Sequence, residues 1–448
     1  MTNEIGRPVR RRNIRAADND RLIREAAIQE LNRVGVDQLS LREVAHVAGL
    51  THGATYARFE DVEELLIDLW HSALRERLIA LFELSIAAVQ EPSVVSVGAL
   101  FERLRVADAR DTAAIELLLT SRRMPNVREE CALFVQNYLE PDESLTLRSE
   151  ALFSRAVLLF GVTAGRLFAN AMFGAEDDYH DALEKLILEI LSIDVADVPE
   201  WGSHAQELLA RFEMSDRDSF PRGDSLGAEI ARSAYSVVGK SGYVRATISR
   251  IARRAQCSPG AIYKINDSKE GLVIHAFRDI IGARWMKALD VADVLDDDYL
   301  TALLRAEASD RNELRRNFLL EMIIAARHND VLRQTLRQHI EGLENGVSSN
   351  IGADDEMRRR LRFLVRTITT FIIAASWLPT ITGSAKFLDF SQLGEPTKRA
   401  IREHWVPEWD VTSRELRHLP KVALLVEESR DAGAGLFSKT RIVDLGGA

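Results

Sequence analysis

The residues best suited to chemistry in this 448-residue chain are cations set out for a polyanion. Arg7, Arg10, Arg11, Arg12 and Arg15 form an arm with no acid between Ile5 and Ala17. A second acid-free stretch, Lys240 to Ile265, carries Lys240, Arg245, Arg250, Arg253, Arg254 and Lys264. Cations gathered without intervening carboxylates fit the phosphate backbone of nucleic acid, and an arm of this kind can also enter a minor groove. The bland alternative for the arm is a solvated tail. A net charge of −10 does not oppose nucleic-acid binding, because a binding face needs only local positive charge.

Catalytic signatures are missing from the sequence. It has no glycine-rich phosphate loop, no His-Glu-x-x-His pair and no nucleophile elbow, so no enzyme, cofactor or metal is expected. Cys131 and Cys257 lie in different halves without ligand-spaced neighbours. The segment after Met1 is polar, and the longest apolar stretch, Thr367 to Ile381, reads as too short and interrupted to span a bilayer, which predicts a cytoplasmic protein.

The chain repeats itself. At an offset of 207, Ile23, Ala27, Gly35, Ala45, Ala48, Gly53, Ala54, Tyr56, Glu63, Leu65 and Ile67 meet identical residues at Ile230, Ala234, Gly242, Ala252, Ala255, Gly260, Ala261, Tyr263, Glu270, Leu272 and Ile274. Trp70 meets Phe277. Downstream, Glu116 and Arg122 meet Glu321 and Arg327 at an offset of 205, and Leu147–Ala175 parallels Met357–Ala385 at 210. A unit of about 200 residues, the size of one or two cores, is duplicated.

Each copy begins as four short helices. Asp20 is the expected cap of the first, and Gly35 its left-handed stop. Ser40 to Glu43 reads as a capping box for the second, Thr51 as the cap of the third, and Asp61 as the start of the fourth. In the second copy Thr247, Ser258-Pro259 and the box Asp267 to Glu270 serve the same ends. Helices two and three, joined by a tight turn, form a helix-turn-helix whose second member suits a major groove.

The run Ala45 to Phe59 with Glu63 to Leu65, and its repeat Ala252 to Lys264 with Ser268 to Leu272, resemble the DNA-binding signature of the TetR family. The resemblance implies an all-α chain of two tandem units, each a three-helix DNA-binding head joined by a fourth helix to a larger helical domain for ligand binding and dimerisation. It further implies that Tyr56 and Tyr263 donate to phosphate. On helix three, His52, Thr55 and Arg58 of one copy, and Ser258, Ile262 and Lys264 of the other, are the expected groove contacts. Gly53 and Gly260 allow close approach to DNA or serve a tight turn, and Ser40, Arg42, Thr247, Ser249 and Lys269 complete the expected DNA face. Val62 stands where the family usually has lysine, and Asn266 where it has an aromatic.

The expected domains are a basic arm (1–15), a first head (16–70), a first regulatory domain (71–195), a linker (196–222), a second head (223–277), a second regulatory domain (278–430) and a tail (431–448). The expected function is sequence-specific transcriptional regulation, by a repressor that a small hydrophobic effector releases from a double-stranded operator. The alternative is a ligand- or partner-binding regulator with degenerate heads. Gly161, Gly165 and Ala169, four apart on one helix, permit a partner helix to approach closely, in a pairing of the two halves, in a homodimer, or in internal packing.

Overall fold

The computed structural model describes residues 7–106, 108–141, 147–174, 176–199, 203–213, 225–282, 298–349 and 355–405. Every regular element among the described residues is helical. The first unit contains α1 (Arg7–Val34), α2 (Leu41–Val47), α3 (His52–Tyr56), α4 (Val62–Leu69), α5 (Arg75–Gln90), α6 (Val94–Arg105), α7 (Ala109–Thr120), α8 (Pro125–Phe134), α9 (Leu147–Phe173) and α10 (Asp177–Ser192). After α11 (Ser203–Phe212), the second unit contains α12 (Leu226–Ser241), α13 (Ile248–Arg254), α14 (Pro259–Tyr263), α15 (Lys269–Phe277), α16 (Tyr299–Ala308), α17 (Glu313–His328), α18 (Asp330–Ser349), α19 (Asp355–Thr382) and α20 (Ser391–Ala400).

Local chemistry explains the head boundaries, with some corrections. Gly35 and Gly242 end the first helix of each head at φ 81° and 86°, a region glycine enters without a Cβ penalty. Ser40 Oγ accepts from the Glu43 N–H and Thr247 Oγ1 from the Arg250 N–H, at 3.2 and 3.3 Å. Asp20 does not cap α1, because the helix already runs from Arg7 and the carboxylate binds Arg58 instead. The basic segment therefore continues into α1 as helix, and is not a separate arm. Thr51 occupies the cap position of α3 without a side-chain cap bond. Ser268, not Asp267, caps α15, accepting from the Gly271 N–H at 3.0 Å.

The fourth helix of each head runs into a π-turn, Trp70–Leu74 or Arg278–Gly282, and in the first unit that turn leads directly into α5 of the helical body. Trp70 and Phe277 are buried at these junctions. Burying a large apolar side chain contributes about 1.5–3 kcal/mol, so each head is anchored to its body by packing as well as by chain continuity.

The bodies pack against each other through α9 and α10 on one side and α19 and α20 on the other. Gly161 lies under Leu378, and Gly165 under Trp377, whose indole N–H donates to the Gly161 carbonyl at 3.0 Å. The small-residue spacing thus lets a helix of the other unit approach. Phe160 and Trp377 fill the contact at 5.9 Å between ring centres.

Arg148–Asn170 and Arg358–Thr382 are long and apolar enough to cross a membrane, because the second helix extends well beyond Thr367–Ile381. In each, 72% of the apolar window is buried inside the protein, as in core helices. Residues 406–448, including the expected tail, lie outside the described residues.

Candidate nucleic-acid interface

In both heads the turn between helices two and three is left-handed, at Gly49 (φ 66°) and at the equivalent Gln256 (φ 52°). The turn leaves helix three exposed on one side and packed on the other. His52, Gly53, Tyr56 and Arg58 are exposed, as are Ser258, Gly260, Tyr263 and Lys264. Tyr56 and Tyr263 project to 50% and 54% exposure, far from the half-core position a tyrosine at helical spacing often takes. Ser40, Arg42, Thr247 and Ser249 are exposed on the same two-helix units.

Gly53 and Gly260 face open space. A Cβ on Gly53 would meet nothing within 4 Å, and one on Gly260 only Ser258 Oγ at 3.8 Å. Neither has a positive φ. The tight-turn reading therefore has no support in the protein, and the space is free for a close ligand.

Four expected contacts are corrected or qualified. Thr55 and Ile262 are fully buried, on the inner side of helix three, where one packs the head and neither reaches a groove. Arg58 is bound to Asp20, Nε to Oδ1 at 2.6 Å, which offsets its charge. Lys269 Nζ donates to the Tyr243 carbonyl at 2.6 Å and lies 3.9 Å from that ring's centre, so it fastens α15 to the end of α12. The side chains of Arg7, Arg10, Arg11 and Arg12 lie outside the described residues.

The second head carries the more basic surface. Lys240, Arg250, Arg253, Arg254 and Lys264 are exposed, and none has a carboxylate partner among the described residues. Arg245 leans 3.7 Å from Asp37 of the first head.

A set of buried groups that sequence reasoning did not assign a role joins the heads to the bodies. Glu116 on α7 accepts the Val36 N–H at 2.9 Å, just past Gly35, and also binds Arg327 and His328 of the second unit, the latter at 2.8 Å. Glu321 on α17 accepts the Tyr243 N–H at 3.2 Å, just past Gly242, and binds Arg122 and Arg123 of the first unit, the latter at 3.2 Å. Both glutamates are at most 1% exposed. Burial pushes the Glu116 carboxyl up, but His328, Arg327 and the Val36 N–H outweigh it and hold it below the usual carboxylate range. The identity of Glu116 and Arg122 with Glu321 and Arg327 at one offset of 205 was the available signal.

Paired helix-turn-helix heads presenting exposed tyrosines, open glycines and unpaired cations define a DNA-binding regulator of transcription. The profile of bacterial regulatory proteins of the tetR family matches residues 23–69 and 230–276, that is, the two heads. The chain is a TetR-family regulator made of two TetR-like units in tandem. No curated protein matches it.

Proposed function

We propose that one chain acts as a repressor, its two heads reading the two halves of one operator, and that a small hydrophobic effector releases it. The supporting observation is the reciprocal arrangement of Glu116 and Glu321. Each carboxylate ties the end of its own head's first helix to an arginine of the other unit. The separation of the heads therefore depends on how α7 and α17 sit against each other. A ligand that favours another arrangement of these helices shifts the population away from the spacing that fits DNA.

His52 and Tyr56 face the groove in the first head, with Gly53 at the closest approach and Ser40 and Arg42 on flanking phosphates. In the second head Ser258, Lys264 and Tyr263 do so around Gly260, with Thr247, Ser249, Arg253 and Arg254 on phosphate. Arg10, Arg11 and Arg12 add backbone contacts. Because the two helices three differ in sequence, the operator is an imperfect palindrome, its half-sites about one helical turn, roughly 34 Å, apart or a multiple of it.

Footprinting on fragments flanking the protein's own gene, combined with sedimentation, tests this. One 50.2 kDa chain per asymmetric site is expected. A particle of twice that mass on a perfectly symmetric site overturns the single-chain arrangement, and no protected site at low salt favours degenerate heads.

A further inference from the structure

Where α7, α9, α17, α18 and α19 meet, a cavity of about 170 Å³ lies between the two units. That is room for on the order of ten water-sized spheres, enough for a small organic molecule. Ile115, Leu119, Phe168, Ile323, Leu336 and Trp377 give it apolar walls.

Its charged lining is unbalanced. Arg166, Arg337 and Arg366 face it, against Glu176 and Glu341. Arg366 pairs with Glu176. Arg166 makes no direct ion pair with a carboxylate among the described residues, the Glu176 charge reaching it only at longer range while that carboxylate pairs with Arg366; it donates from Nε to His180 Nε2 at 3.4 Å and lies 4.4 Å from the centre of the Tyr179 ring. His180 is fully buried, and burial, then Arg166 and Arg105, push it down to about 4, so it stays a neutral acceptor. Thr369 also lines the cavity, and its buried Oγ1 has no hydrogen-bond partner. A guanidinium with no direct carboxylate contact and an orphaned hydroxyl, lining one largely apolar chamber, leave hydrogen-bonding capacity that an anion would fill.

We propose that this cavity binds a monoanion with an apolar body, a medium-chain carboxylate being the simplest, its head on Arg166 and Thr369 and its tail against Phe168, Ile323 and Trp377. The proposal rests on the effector reading above and gives that effector its chemical class and place. It also supplies the route to the heads. The Phe168 ring lies 5.4 Å from the Arg327 guanidinium, which binds Glu116, and Ile115 flanks Glu116 in sequence. A tail that moves Phe168 or α7 acts on the bridge that holds the first head.

The test is titration of the full chain, without DNA, with octanoate and decanoate and with the matching alcohols, read by calorimetry and by the tryptophan emission that a Trp377→Phe variant loses. The acids are expected to bind about tenfold or more tightly than the alcohols, the factor for one charge-assisted contact. Arg166→Gln should bring decanoate down to the affinity of decanol. Equal binding of acid and alcohol, or of neither, overturns the proposal, and this comparison on the unaltered chain decides even if the variant fails to fold. Operator release is read separately: acid that binds without releasing DNA leaves the site standing and sinks the effector reading.

Discussion

Glu116 and Glu321 occupy equivalent positions in the two units and make mirrored contacts, each binding the N–H that follows its own head's terminal glycine and an arginine of the opposite unit. Such reciprocity is the mark of a two-fold interface, here closed within one polypeptide. The glycines complete it. A Cβ on Gly35 would come within 2.8 Å of His328, and one on Gly242 would collide with Arg123. Positive φ and the close approach of the other unit demand glycine at the same two places.

Removing one carboxylate from this set should be costly. Glu116→Gln leaves Arg327 buried beside a neutral amide, and breaking a buried pair in this way costs about 3–5 kcal/mol. Urea unfolding of Glu116→Gln, Arg327→Met and the double variant gives the coupling directly. Additive losses would mean the bridge contributes nothing of its own.

The two kinds of glycine should respond oppositely. Gly161→Val forces a Cβ within 3.0 Å of Leu378, and overpacking of this sort costs about 1–3 kcal/mol. Gly53→Ala meets no neighbour and gains up to about 1 kcal/mol of helix propensity, while weakening DNA binding. Thermal melts and gel shifts on both variants check this; a destabilised Gly53→Ala with intact binding would return that glycine to a structural role.

Among the cations, Arg253→Ala should weaken binding to all sequences and reduce the slope of log affinity against log salt by about 0.9, as one lost phosphate contact does. Lys264→Ala should instead change preference at one half-site. Thr55→Val, on the buried side, should leave preference unchanged. Selection of operators from a randomised pool distinguishes the three.

Acid should weaken the fold before the carboxylates titrate. His180 and His339 are each pushed down to about 4, by burial first and then by arginine charge, from an ordinary value of 6.5. Between those values the unfolded chain binds protons that the folded chain refuses, so stability is present above about pH 6.5 and lost as pH falls through the window. Each histidine contributes at most about 1.4 kcal/mol per pH unit. Urea midpoints measured across this range should fall with pH, and less steeply in His180→Asn; a flat profile would mean that neither histidine is held neutral.

The heads and their number are legible in the amino-acid sequence alone. Helix boundaries near Gly35, Ser40, Thr247 and Ser258 follow from interactions within three or four residues, and the duplication is written in identities at one offset. Local rules erred where a distant group competed: Asp20 takes Arg58 rather than a helix N-terminus, and Lys269, expected on the DNA face, takes the Tyr243 carbonyl. Periodicity on a five-residue helix could not say that Thr55 and Ile262 face inward, since that depends on where α3 and α14 rest against their heads. The pairing of α9 with α19, the crossing of Glu116 and Glu321 between units, and the place of Arg166 in the lining of an apolar cavity without a direct ion pair could come only from the folded chain. These are contacts between segments some 200 residues apart, whose energies come from burial and charge in an interior that no local stretch of sequence contains.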